Sequence, residues 1–257
     1  MKITRDDVFS SHISKLLIDD YKKTARAPDG KFHVSELLQP RQAFFDRRDG
    51  REMTEQDIKM YIPGSAFHEY LQKVLGSHLA EKRISFMDDI VGTIDWAGAY
   101  ILEIKTSRKW KIPEVPEPHY VGQVCKYMAI EKKLEGYILV VYFTAGRTWD
   151  GKNASTLELM AWKIETTPEE QAQELKYLVD TRANLIEATQ TGKFEKLPLC
   201  YSFCCFSEYK KEITKVCPYY NECQPDGRHD PRAERKCEEL TITKDGFAKA
   251  LPIIKGV

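Results

Sequence analysis

Two acidic residues and a lysine lie in a short apolar stretch near the middle of the chain. Asp95 follows the run Val91–Ile94, and Glu103 and Lys105 lie within Ala99–Ser107. Charged side chains in apolar strands are seldom buried without a partner charge or a metal ion. Two carboxylates that converge can bind a divalent cation, which also offsets their mutual repulsion. The stretch therefore predicts a metal site, and the alternative is a solvated hairpin whose outward face is charged.

The spacing of these three residues predicts that they share one face of a β-hairpin. β-Branched and aliphatic residues flank a small turn at Trp96–Gly98, which is typical of a strand, a turn and a second strand. With the turn centred on its glycine, Asp95 is opposite Ile101. Because side chains alternate between faces, Asp95, Glu103 and Lys105 point to one side, with the two acids about 7 to 8 Å apart.

Composition limits the classes of function. The 257 residues include 39 basic and 39 acidic residues, so the formal net charge is zero. Contact with nucleic acid would therefore depend on local patches of charge. No stretch approaches the roughly 20 apolar residues that span a membrane, and the first residues lack the apolar region of a signal peptide. We expect a soluble, cytoplasmic protein, and the sequence leaves its oligomeric state open.

Hydrophobic periodicity predicts an α/β fold in which helices flank a mixed β-sheet. Ser35 is expected to cap a short helix, and Pro63 and Gly64 are expected to precede a longer one. Helices are predicted at residues 5–23, 34–48 (two short segments), 65–75, 119–133 and 168–189, and strands beyond the hairpin at 136–143 and 157–164.

Four residues outside the hairpin are candidates for a functional role only if the hairpin forms a metal site. His68 lies in the first turn of a predicted helix, where a lone histidine is more often structural. Gln123 and Tyr127 are four residues apart and share one face of the following helix, and packing is the alternative for this pair. Arg41 is a candidate phosphate contact, although an arginine on a helix more often faces solvent.

Five of the seven cysteines lie between residues 200 and 223. In a chain without an export signal, such clustering favours a metal or iron–sulfur site over disulfides. Four thiolates are sufficient for a 4Fe–4S cluster or for zinc, and both remain open. The candidate ligands are Cys200, Cys204 or Cys205, Cys217 and Cys223.

Four motifs, in this order, resemble the RecB-type nucleases of the PD-(D/E)xK superfamily, and most closely the CRISPR-associated iron–sulfur exonucleases. They are a helical histidine motif at Gly64–His68, an aspartate motif at Gly92–Asp95, an ExK motif at Glu103–Ser107 and a QxxxY motif at Gln123–Tyr127. Each motif is weak alone, and their order and spacing make the resemblance specific. Ile94 stands where the superfamily name has proline.

The resemblance implies a restriction-endonuclease-like core at residues 64–192. An N-terminal helical region at 1–63 would precede it, and a cysteine-rich metal-binding segment with a tail would follow at 193–257. The cluster would be iron–sulfur, although Gln39-Pro40-Arg41 stands where the family has Cys-Pro-Arg and so lacks one usual ligand. The implied activity is metal-dependent DNA exonuclease activity at single-stranded ends, in CRISPR adaptation or DNA repair, with an integrase or helicase as partner.

The resemblance also implies a role for each site residue. The motif ligands of Mg²⁺ or Mn²⁺ would be His68, Asp95, Glu103 and the carbonyl of Ile104, and Lys105 would assist the attack on phosphorus. Gln123 and Tyr127 would position the strand, with Arg41 and Lys126 as phosphate contacts.

The alternative function is a non-cleaving DNA-binding or adaptor subunit with a structural metal cluster. The presence of Asp95, Glu103 and Lys105 together favours the enzyme, because a degenerate site usually loses one of them.

Overall fold

A mixed β-sheet runs through the protein, with helices packed on its two faces. The computed structural model describes residues 7–24, 29–50, 53–109, 112–145, 156–198, 200, 207–209, 212–214 and 219–223. The predicted α/β class, with a mixed central sheet flanked by helices, is confirmed for this part of the chain.

The order of the elements places the central hairpin between two helices that matter for the site. In chain order they are α1 (Asp7–Thr24), β1 (Phe32–His33), α2 (Val34–Leu37), α3 (Pro40–Asp49), α4 (Glu55–Leu75), β2 (Ala80–Phe86), β3 (Ile90–Ala97), β4 (Ile101–Ser107), α5 (Pro118–Glu131), β5 (Glu135–Ala145), β6 (Thr156–Glu165), α6 (Pro168–Thr191), β7 (Ser207–Tyr209), β8 (Glu212–Thr214) and α7 (Tyr220–Cys223).

The sheet has the order β1-β3-β4-β5-β6, with β2 also paired to β3. The β3–β4 and β5–β6 pairs are antiparallel, as consecutive strands joined by short connections usually are. The β4–β5 pair is parallel, and helix α5 makes the crossover between them. A parallel pair requires such a long connection, because the chain must return to the same end of the sheet.

The two faces of β4 belong to two different hydrophobic cores. Ile101 packs in the large core that includes Val124 and Met128 of α5. Leu102 and Ile104 pack in a smaller core with Leu71 of α4. Because side chains alternate along a strand, the odd-numbered side chains of β4 face α5 and the even-numbered ones face α4.

Helix α4 begins ten residues earlier than the sequence predicts. Thr54 Oγ1 accepts a hydrogen bond from the backbone N–H of Asp57, and the Asp57 carboxylate accepts one from the backbone N–H of Thr54. This reciprocal capping box nucleates the helix at Glu55. Pro63 lies inside the helix rather than before it, at the cost of one backbone hydrogen bond. The expected domain boundary between residues 63 and 64 falls within α4.

Strands β1 and β2 were not predicted. β1 has two residues, too few for a periodic signal. β2 reads Ala-Glu-Lys-Arg-Ile-Ser-Phe, and Ile84 is its fully buried apolar side chain. An edge strand carries charges because only part of it faces the core, so hydrophobic alternation was a poor guide here.

The N-terminal helices also differ from expectation in detail. The predicted cap Ser35 lies inside α2, and the N-cap position is His33. In α1 the apolar residues Ile13, Leu16 and Leu17 are exposed, whereas Ile18 is buried. No helix in the described ranges combines the length and the apolar character that crossing a bilayer requires.

Gly92 on β3 allows α5 to approach the sheet closely. A Cβ atom at this position would lie 2.6 Å from Cε1 of Tyr127, which is closer than carbon atoms approach. We expect Gly92→Ala to lower the free energy of unfolding by about 1 to 3 kcal/mol, because the ring or the strand must move. Chemical denaturation measures this change.

A double-mutant cycle with Tyr127→Ala is the control for that prediction. With the ring removed, Gly92→Ala should cost much less than it does alone. Equal costs in the two backgrounds would show that the ring contact is not the cause.

Candidate active site

The site lies at a fork in the sheet beside β3. One edge of β3 pairs with β2 over residues 90–96. The other edge pairs with β1 at Ile90 and Val91 and with β4 at Trp96 and Ala97. Between these pairings, at residues 92–95, none of the described strands is paired with that edge. The fork therefore exposes the strand segment that carries Asp95.

The hairpin has a different register from the predicted one. Trp96 is opposite Leu102, so Asp95 is next to Glu103 across the strands rather than opposite Ile101. The turn is Gly98–Tyr100, later than predicted, and each β3 residue meets a partner two positions further along β4. A shift of two residues preserves the face of every side chain, so the predicted shared face remains.

Asp95 and Glu103 are a pair of neighbouring carboxyl groups, of which Asp95 is partly buried and Glu103 fully buried. Asp95 Oδ2 accepts a hydrogen bond of 2.7 Å from the backbone N–H of Ile104, where the strand ladder has ended. Glu103 is 1 % exposed, and its Oε1 accepts a hydrogen bond of 2.5 Å from Lys105 Nζ. Its buried Oε2 accepts none from the residues that the structure describes. Such an unpaired buried oxygen is costly unless a proton or a cation meets it.

Desolvation shapes the protonation of this pair. Burial raises the pKa of Asp95 to about 6, although the nearby charge of Lys105 opposes the shift. Burial, and then repulsion from Asp95, raise the pKa of Glu103 to about 7. Burial lowers the pKa of Lys105, but the charges of Glu103 and Asp95 outweigh it and the net change is upward. The two acids therefore keep protons to a higher pH than ordinary carboxyl groups, and once both ionise their charge exceeds that of the single ammonium group.

His68 reaches the fork from α4, on the other face of β4. Its Nε2 lies 2.5 Å from the carbonyl oxygen of Ile104 and 3.4 Å from Oδ2 of Asp95. One turn further along α4, the side-chain amide of Gln72 donates to the carbonyl of Asp95. The structure therefore brings together three of the four predicted metal-binding groups, with Glu103 next to Ile104 on β4.

Lys105 is held by a chain of hydrogen bonds that ends on α5. Its Nζ donates to Oε1 of Gln123 at 3.0 Å as well as to Glu103, and Nε2 of Gln123 donates to the hydroxyl of Tyr127 at 2.9 Å. The Tyr127 hydroxyl is also within hydrogen-bonding range of the Thr93 backbone. Burial raises the pKa of Tyr127, so the phenol stays neutral. The QxxxY motif thus fixes the position of the ammonium group.

Asp95 and Glu103 face a cavity of about 350 Å³. Lys105, Gln123 and Tyr127 line one side of it, and His33 and Ser35, from β1 and α2, line another. Sequence reasoning did not find His33 or the position of Ser35, because only the parallel pairing of β1 with β3 brings them to the fork. Nothing in the local sequence signals that pairing.

The donor set fits a small divalent cation. Among the described residues no three His, Cys, Asp or Glu side chains are grouped closely enough to hold a metal by themselves. Asp95, Glu103 and His68 therefore do not close around one point, but with the Ile104 carbonyl they bring two carboxylates, one imidazole and one backbone oxygen to the fork. Oxygen ligands suit Mg²⁺ and Mn²⁺, and an imidazole shifts the preference toward Mn²⁺. The unpaired Oε2 of Glu103 is the atom that most needs such a partner.

The two expected phosphate contacts occupy other positions. Lys126 is fully buried between α5 and α6, where its Nζ donates to Glu174 at 2.6 Å and lies over the Tyr177 ring. Arg41 is buried in α3 and donates to the carbonyl of Leu197 and to Sγ of Cys223. Neither cation faces the cavity, so these two roles are corrected to structural ones.

The cysteine segment is described only in part. Cys223 is buried and Cys200 is half-buried, whereas Cys204, Cys205 and Cys217 lie outside the described residues. The end of the segment docks on α3: Tyr219 stacks on Phe45 and donates to Asp46, and Glu222 pairs with Arg48. Side-chain contacts therefore hold Cys223 against the core.

Comparisons with known proteins give a few distant structural likenesses. No family model and no curated protein matches the chain. The chain is similar to SSO0001 with a TM-score of 0.46 and 18 % identity, covering 72 % of this chain and 87 % of that one. It is similar to a phage-related exonuclease from Haemophilus somnus 129PT with a TM-score of 0.44 and 14 % identity, covering 63 % of this chain and 96 % of that one.

LHK-Exo, an alkaline exonuclease from Laribacter hongkongensis, was solved in complex with dAMP. It is similar to this chain with a TM-score of 0.43 and 14 % identity, covering 63 % of this chain and 90 % of that one. These values are too low to carry a function from those proteins to this chain.

The raised pKa values predict an unusual pH dependence. Asp and Glu titrate at about 3.9 and 4.3 when unfolded, so the metal-free folded protein binds more protons between pH 4 and 7. Its free energy of unfolding should therefore fall as pH rises from 5.5 to 8. Mn²⁺ competes with those protons, so it should raise the melting temperature more at pH 8 than at pH 5.5. Thermal melts with EDTA or Mn²⁺ measure both effects.

Glu103→Gln is the control, because it removes the group with the higher pKa. Its metal-free melting temperature should change less across this range, and Mn²⁺ should stabilise it less. A parent protein whose metal-free melting temperature rises between pH 5.5 and 8 would contradict the assignment.

Proposed function

We propose that the protein is a metal-dependent deoxyribonuclease that hydrolyses phosphodiester bonds. The observation that supports this best is the convergence of Asp95, Glu103 and Lys105 at the fork, with the unpaired oxygen of Glu103 buried among them. A desolvated pair of acids can bind a cation, and an ammonium group fixed beside them can bind the phosphate. The resemblance to the RecB-type nucleases agrees with this arrangement, and the restriction-endonuclease-like core is part of the proposal.

In this proposal Asp95, Glu103, His68 and the carbonyl of Ile104 hold one Mg²⁺ or Mn²⁺ ion. Bound there, the ion would supply charge for the phosphate and acidify a water. Burial keeps water away from the acids and strengthens their attraction to a cation. Asp95 is fixed by the backbone of Ile104, so its carboxylate is oriented before any ion arrives.

Lys105 is the group that we assign to the phosphate. Its ammonium donates to Glu103 and Gln123, and its third hydrogen remains to be directed into the cavity. There it orients the attacking water or stabilises charge on the phosphoryl oxygens. Gln123 and Tyr127 act through Lys105, so they are positioning residues.

The finer features of the proposal come from the resemblance. They are exonuclease action at single-stranded DNA ends, a role in CRISPR adaptation or DNA repair, an integrase or helicase partner, a cytoplasmic location and the division at residues 1–63, 64–192 and 193–257. Each stays a prediction.

Substitution of the three central residues tests the enzyme. We expect Asp95→Asn, Glu103→Gln and Lys105→Ala each to lower the rate of Mn²⁺-dependent cleavage of labelled DNA about 100-fold or more, as loss of one stabilising group does elsewhere. Lys163→Ala is the matched control, because this lysine lies on the edge strand β6 and pairs there with the exposed side chains of Glu135 and Glu165. Single-turnover cleavage with single-stranded and duplex substrates gives the rates.

Two results would decide against the assignment. Cleavage by Glu103→Gln and Lys105→Ala at the parent rate would place the reaction elsewhere. A parent protein that binds DNA but does not cleave it with Mg²⁺ or Mn²⁺ would favour the adaptor subunit.

We also propose that Cys223 is a ligand of a thiolate-bound cluster, together with Cys200, Cys217 and either Cys204 or Cys205. The supporting observation is Arg41, a buried guanidinium whose hydrogen bonds, in the part of the chain that the structure describes, go to Leu197 and Cys223 and to no carboxylate. A buried cation requires a nearby negative charge, which a metal thiolate supplies. The cluster would be 4Fe–4S, with zinc as the alternative.

Anaerobic purification followed by metal analysis tests this second proposal. An iron–sulfur cluster gives broad visible absorbance and bound iron with sulfide, whereas zinc thiolate is colourless because Zn²⁺ is d¹⁰. We expect Cys223→Ser to lose most of the metal. Cys125→Ala is the control, since burial in α5 raises the pKa of that thiol to about 12 and keeps it protonated. Equal metal content in the two variants would refute the assignment.

A further inference from the structure

The C-terminal half of α4 lies against the fork through His68 and Gln72. Residues 61, 65, 68 and 72 are separated by four, three and four positions, which places Tyr61, Ser65, His68 and Gln72 within about 60° of one another around the helix axis. His68 and Gln72 contact Ile104 and Asp95 directly. The other two residues therefore continue the stripe that contains a proposed metal ligand.

The direction of α4 puts Tyr61 at the open end of the fork. Helix and strand run antiparallel: His68 lies against Ile104, and a Cβ at Gly64 would meet the hydroxyl of Thr106 at 2.9 Å. Tyr61 lies nearly one turn before Gly64, so it lies beyond the end of β4. Arg108, exposed, follows that strand at the same end.

Tyr61 is too exposed for a core residue on this flank. The side chain is 56 % exposed, although the stripe that contains it carries the contacts to Asp95 and Ile104. Along the helix axis it lies about 10 Å from His68, which corresponds to about three steps of a stacked DNA strand. An exposed aromatic ring, with an exposed arginine at the same end of the fork, suits the face of a base and its phosphate.

We propose that Tyr61 is a base-stacking platform that positions single-stranded DNA at the open end of the fork. The inference rests on the proposed nuclease function and adds the residue that selects unpaired strands. Bases in a duplex already stack on each other, whereas an unpaired base presents its face to an aromatic side chain. Arg108 contacts the phosphate backbone at this end of the fork. Tyr61 acts by holding the strand and is a positioning residue.

Binding measured without cleavage tests the platform. The full chain is mixed with a labelled single-stranded oligonucleotide in Ca²⁺, with 2-aminopurine at each of the four terminal positions in turn. We expect Tyr61→Ala to weaken binding about 5- to 100-fold and to abolish the quenching of one 2-aminopurine position. Tyr61→Phe should retain both. In Mn²⁺, Tyr61→Ala should raise KM with little change in kcat.

Tyr70→Ala is the matched control, because Tyr70 is 61 % exposed on the same helix but lies on the opposite side. It should bind single-stranded and duplex DNA as the parent does. Equal losses in Tyr61→Ala and Tyr70→Ala, or an equal loss of duplex and single-stranded binding, would overturn the proposal. If the parent binds through Tyr61 but does not cleave, the nuclease assignment fails and the platform stands.

Discussion

The burial of two carboxyl groups beside one ammonium group is the constraint on which the site depends. Asp95 and Glu103 have raised pKa values because the fork removes them from water, and Lys105 neutralises only part of their charge. A protein that needed only stability would place apolar side chains here, since isosteric apolar packing often equals or exceeds a buried ionic cluster. The retained charge is therefore best explained by a ligand of opposite charge.

The rest of the fold holds the two carboxyl groups and the ammonium group in fixed positions relative to one another. β4 is held between two helices, with the apolar side chains on its even positions packed against α4 and its charged odd positions facing α5. The α5 side fixes the ammonium group through Gln123 and Tyr127, and Gly92 leaves room for that ring. The α4 side supplies His68. Each helix contributes to the site because the sheet lies between them.

Sequence patterns predicted the parts of this arrangement that depend on local spacing. Alternation along β4 placed Glu103 and Lys105 on one face, and four-residue spacing placed Gln123 beside Tyr127. The register of the hairpin was wrong because the turn uses Gly98–Tyr100, and only the even size of the error preserved the shared face. β1 and the position of His33 depend on a pairing between distant segments, which no local pattern encodes, and β2 was missed because its charged edge-strand sequence lacks hydrophobic alternation. Lys126 and Arg41 appeared suited to phosphate, yet both are buried with partners from distant parts of the chain.

The parallel pairing of β4 with β5 has a consequence for how the protein folds during translation. β4 cannot gain its second neighbour until α5 and β5 have left the ribosome, because the crossover helix separates them in sequence. Gln123 and Tyr127, which orient Lys105, lie on that same crossover helix. A nascent chain that has emerged only as far as the hairpin thus carries Asp95 and Glu103 without the structure that orients Lys105, and the proposed activity would be absent until β5, which ends at Ala145, has also emerged.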